Sequence, residues 1–79
     1  MNQEQMLIMV EAAITTRPES KNGKWYLLIE HNQIRCEPVR ELPLSPGLIT
    51  VFDEDEATKG FTPYRWNQIK CRITNRIKI

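Results

Sequence analysis

The chain has 79 residues, 41% of them hydrophobic and 27% charged, with a formal net charge of +1. A chain this short holds one domain and buries only about 60% of its unfolded surface, which disfavours a deep catalytic cleft, while the composition argues against disorder. The net charge hides a split: residues 1–56 carry ten acidic and five basic side chains, whereas residues 57–79 carry Lys59, Arg65, Lys70, Arg72, Arg76 and Lys78 and no acid, so a basic surface is available at an ordinary pI.

Residues 2–16 have the pattern of an amphipathic helix. Met6, Val10, Ala13 and Ile14 recur at three- and four-residue spacing, Leu7 and Met9 widen the apolar face, and Asn2 with Gln5 forms a capping-box signature. Pro18 ends the helix by pushing its predecessor out of the helical region. Ser20-Lys21-Asn22-Gly23 is a turn. Lys24 to His31 alternates as a strand, with Trp25, Leu27 and Ile29 on one face and Tyr26, Leu28 and Glu30 on the other. Both faces are largely apolar, as in a strand covered on both sides. His31-Asn32-Gln33 connects it tightly to a second strand, Gln33 to Val39, in which Pro38 marks an edge or a bend.

Glu41 to Gly47, with Pro43 and Pro46, is expected to be a loop. Leu48 to Phe52 is a short apolar strand. Asp53-Glu54-Asp55-Glu56 through Gly60 is expected to be a solvated charged loop: it lacks the calcium-hand spacing, and clustered carboxylates repel one another. Phe61 to Trp66 is predicted as a fourth strand interrupted by Pro63. The alternation of Ile69, Cys71 and Ile73 with Lys70, Arg72 and Thr74 predicts a fifth strand with a basic outer face. The expected fold is therefore α+β and mainly β: a small SH3/Sm-like antiparallel barrel of about five strands over residues 24–79, preceded by one N-terminal helix, all in a single domain.

The order of these elements resembles the WYL domain, an Sm-like barrel with a leading helix. Glu37-Pro38 matches the proline of that family's second strand, and Leu48 to Asp53 its third. The family's closing run, Arg-x-Phe-Arg-Leu-Asp-Arg-Ile, is matched by Thr62, Pro63, Tyr64, Arg65, Trp66, Asn67, Gln68 and Ile69. Arg65 and Ile69 are kept; Thr62, Asn67 and Gln68 replace the outer arginines and the aspartate. A second register starts from the literal Trp25-Tyr26-Leu27, but it leaves too little chain ahead of it for two strands. The resemblance implies a free-standing bacterial or phage accessory protein, a regulator that senses nucleic acid or a nucleotide-like ligand.

The candidate binding residues are Tyr64, Arg65, Trp66, Lys70, Arg72 and Arg76. Guanidinium groups pair with phosphate and aromatic faces stack bases, so single-stranded nucleic acid is the expected ligand. On a strand, Lys70, Arg72, Arg76 and Lys78 form one row, with Lys70/Arg72 and Arg76/Lys78 each about 7 Å apart, near the phosphate repeat. Against this, Tyr64 and Trp66 also fit a small core, and a charge row also fits a solvated edge that blocks aggregation. A protein-interaction module, including a homodimer or a phage-, plasmid- or defence-associated regulator, is the alternative. No catalytic residue, metal site or cofactor is expected. His31 has no catalytic partner at a recognisable spacing, the three glycines are isolated, and Cys36 and Cys71 have no CxxC partner. The cysteines fit reduced thiols in the cytoplasm, or a disulfide if strands bring them within range. Met6 to Val10 is too short for a signal peptide, and no segment approaches the ~20 apolar residues of a membrane span.

Overall fold

The computed structural model describes residues 2–40 and 45–77. Pro43 of the expected loop, and Lys78 and Ile79 at the end of the basic row, lie outside the described residues. The first element is helix α1, Gln3–Thr15. The Asn2 side chain accepts from the Gln5 backbone at 2.9 Å and the Gln5 side chain accepts from the Asn2 backbone at 3.0 Å, so two donors left over at the helix start are satisfied reciprocally.

Among the described residues three strands follow: β1, Lys24–Glu30, β2, Gln33–Pro38, and β3, Leu48–Asp53. They form one antiparallel sheet in the order β2-β1-β3. The β1–β2 hairpin turns at His31 and Asn32, with φ of 51° and 61°. Positive φ at both positions matches the right-handed twist of the strands and favours a residue such as Asn that tolerates this region. Facing pairs are Leu27 with Cys36 and Ile29 with Ile34 on one side, and Trp25 with Phe52 and Leu27 with Thr50 on the other. A register shift between Leu27 and Leu28 inserts Ile49 as an extra residue on β3. Close by, Gly47 accepts from the Ile29 amide at 2.9 Å, and a Cβ at Gly47 would run into the Ile29 carbonyl oxygen.

The core lies on one face of this sheet. Met6, Val10 and Ala13 of α1 meet Trp25, Leu27, Ile34, Ile49 and Phe52 there. Trp25 and Phe52 stack at 5.8 Å between ring centroids, and Phe61 meets Phe52 edge-on at 5.9 Å. Arg17 pins the end of α1 to this cluster. Its guanidinium lies 4.7 Å from the Trp25 ring centroid, donates to the Ile14 carbonyl at 2.8 Å and pairs with Glu54 at 3.2 Å.

The five-stranded barrel is not formed. The chain leaves β3 into two helices, α2, Glu54–Lys59, and α3, Pro63–Arg76, so the fold is a small α+β domain with an open three-stranded sheet. The acidic run expected to be a loop is the first turn of α2. Asp53 caps it by accepting from the Glu56 amide at 3.0 Å, and carboxylates at a helix start are favoured by the helix dipole. The two expected C-terminal strands are the single helix α3. No described helix is long and apolar enough to cross a membrane.

Candidate nucleic-acid interface on helix α3

Helix α3 begins where Thr62 accepts from the Arg65 amide at 3.2 Å and Pro63 takes the first helical position, whose amide needs no partner. Ile69, Ile73 and Ile77 then recur every four residues and are buried to 1%, 0% and 8% exposure. That spacing is helical; it was hidden by the shorter alternation of Ile69, Cys71 and Ile73, of which Cys71 is exposed.

The helix redistributes the six expected site residues. Tyr64 and Trp66, placed side by side by a strand, stand about 200° apart around a helix. Trp66 packs half-buried against the core, while Tyr64 is 74% exposed. The Lys70 ammonium lies 5.8 Å from the Trp66 ring centroid, a cation–π contact one turn along. Arg65 is half-buried and turned onto the protein: its Nε pairs with Glu56 at 3.0 Å and its guanidinium also donates to the Val51 carbonyl. Arg72 donates to the Ile49 carbonyl through one nitrogen, and the residue remains exposed. Arg76 is exposed in the last turn, where a cation is favoured by the helix dipole. By the helical period Arg65, Arg72 and Arg76 share one flank of α3, from which the first two reach β3, and among the described residues Lys70, Arg72 and Arg76 form no extended row.

The outer face of α3 carries Tyr64, Asn67, Gln68, Cys71 and Asn75, all exposed, at spacings of three and four residues. Sequence reading missed this uncharged, hydrogen-bonding row because it follows only from the helical period. Neither Asn67 nor Asn75 is tied by a side-chain hydrogen bond among the described residues. Cys71 and Cys36 are both free thiols, so the disulfide alternative is not realised. Cys36 is half-buried on β2 and its pKa is pushed up to about 12 by that burial, against an opposing pull from Arg17. Among the described residues no group of three or more His, Cys, Asp or Glu side chains could hold a metal ion.

The Thr62–Ile69 run that carries the WYL resemblance spans the cap and first turns of α3. No family model, no curated protein and no solved structure matches this chain.

Proposed function

We propose that this protein is a small non-enzymatic module that binds nucleic acid through the outer face of α3, in a regulatory or accessory role in the cytoplasm. The observation that carries the reading is the composition of one helix: α3 has 14 residues, no acid, four cations and an exposed row of amides. Asn67, Gln68 and Asn75 offer the paired donor and acceptor that match the edge of adenine in a major groove. Arg76, exposed in the last turn, supplies a phosphate contact, Arg72 adds positive charge beside the row while one of its nitrogens holds the Ile49 carbonyl, and Tyr64 adds an exposed ring at the other end. Single strands were favoured by an extended basic row. A helix about 10–12 Å across instead suits a duplex major groove about 12 Å wide, so duplex DNA is the preferred ligand.

The test is titration of labelled duplex DNA, single-stranded DNA and single-stranded RNA at two salt concentrations. Duplex binding that weakens with salt, and a salt slope reduced by about 1 in Arg76→Ala, support the interface. Arg76 and Asn67 make no internal ion pair or side-chain hydrogen bond among the described residues, so Arg76→Ala and Asn67→Ala leave the fold intact. Absence of binding at low salt, or Arg76→Ala and Asn67→Ala binding like the parent, overturns the reading.

A further inference from the structure

A second surface lies on the other side of α3, away from the amide row. A cleft of about 710 Å³ opens between α1 and the corner where α2 leads into α3. Val10, Ile14, Ala57, Phe61 and Trp66 line its apolar part. Leu7, 44% exposed, stands at its rim beside Trp66, and these two residues also line an adjoining depression that reaches back to Asn2. The two hollows together follow α1 from Asn2 to Thr15, a path of about 20 Å at the helical rise.

Among the described residues the charges without an ion pair around this groove are Glu4 and Glu11 at its rim and Lys70, whose ammonium sits over the Trp66 ring, so the balance is acidic. Glu56 faces it but is paired with Arg65, and Lys59 faces it but is paired with Asp55 at 3.9 Å. Glu4 and Glu11, two helical turns apart on α1, border the groove exposed, and neither has an ion-pair partner among the described residues. An apolar floor about two turns long on α1, from Leu7 to Ile14, with acidic residues at its rim is complementary to an amphipathic helix whose apolar stripe is flanked by lysine or arginine.

We propose that this groove docks such a basic amphipathic helix from a protein partner. A second copy packed face to face across a two-fold axis would set the Glu4 and Glu11 carboxylates of both copies around one interface, which like charges oppose. Anionic lipid headgroups and nucleic-acid phosphates are repelled by the same rim. The docking face is therefore distinct from the proposed nucleic-acid face and depends on none of its residues.

The experiment uses the whole chain and a fluorescein-labelled 14-residue helical peptide with leucines at i, i+3, i+4, i+7 and i+11 and flanking lysines. Two control peptides carry glutamate in place of the lysines, or the same residues in scrambled order. The lysine peptide is expected to bind at least tenfold tighter than either control at low salt. Leu7→Ser is expected to weaken it at least tenfold and the Glu4→Gln/Glu11→Gln pair at least fivefold, with unchanged circular dichroism; all three side chains are exposed, so their replacement spares the core. The proposal is overturned by equal binding of the lysine and control peptides, by wild-type binding of the Leu7→Ser variant, or by sedimentation showing a self-associated protein that becomes monomeric on Leu7→Ser.

Discussion

Arg65 donates through its guanidinium to the Val51 carbonyl, and so ties helix α3 to the outer edge of β3. Arg72, two turns further along α3, does the same for the Ile49 carbonyl, two residues back along the strand. Alternate carbonyls of an edge strand point away from the sheet. Here two of them are taken by arginines instead of by another strand, which blunts an edge that would otherwise template pairing with other chains. Two of the cations expected to contact phosphate thus have a structural duty.

Arg65→Ala removes a charge-assisted hydrogen bond and leaves Glu56 half-buried without its partner. The expected loss of stability is about 1.5–3 kcal/mol, read from the midpoint of urea unfolding. Arg65→Lys should recover only part of it, because an ammonium cannot hold the carboxylate and the carbonyl with one planar fork. A variant as stable as the parent would show that α3 does not hold the β3 edge through this residue. Light scattering on the same samples should rise for Arg65→Ala as the strand edge is uncovered.

The parts of the fold legible in the sequence are those with unambiguous local signals. Asn2 and Gln5 marked the start of α1, alternation marked β1, the tight connection after it marked β2, and the apolar run marked β3. The C-terminal third carried two signals at once. Ile69, Cys71 and Ile73 read as a strand by their period of two, while Trp66, Ile69, Ile73 and Ile77 read as a helix by periods of three and four. Thr62-Pro63 decided between them: it is a cap followed by a first-turn proline, although a proline also fits an interrupted strand. The acidic run before it was read through mutual repulsion, whereas interaction with the helix start outweighs that repulsion once Asp53 caps α2. The basic residues of the candidate site were visible, but their faces were not, because a face exists only once the period is known.

The two periods make opposite predictions at Cys71. On a strand Ile69, Cys71 and Ile73 all point inward, whereas on α3 Ile73 is fully buried and Cys71 is exposed. Ile73→Ala should cost about 2–5 kcal/mol through lost burial and the cavity left behind. Cys71→Ser should stay within about 0.5 kcal/mol, as surface substitutions do. Equal and large losses in thermal or urea unfolding would restore the strand reading and remove the amide row from the proposed interface.

The two thiols should also differ in chemistry. The thiolate is the reactive form, and burial holds the Cys36 thiol protonated up to about pH 12, so at pH 8 an alkylating reagent should modify one equivalent, mapped by mass spectrometry to the exposed Cys71. Cys36 should react only after denaturation. The same shift links stability to pH. Above the ordinary thiol value of 9.0 the unfolded chain loses the Cys36 proton while the folded chain keeps it up to about 12. The unfolded state then binds fewer protons than the native one, so unfolding becomes easier as pH rises through that window. Cys36→Ala abolishes this contribution, and its unfolding free energy should fall less steeply than the parent's between pH 9 and pH 11. Parallel pH profiles for the two proteins, or rapid labelling of Cys36 in the folded state, would place that thiol in contact with solvent and contradict its half-buried position against the core.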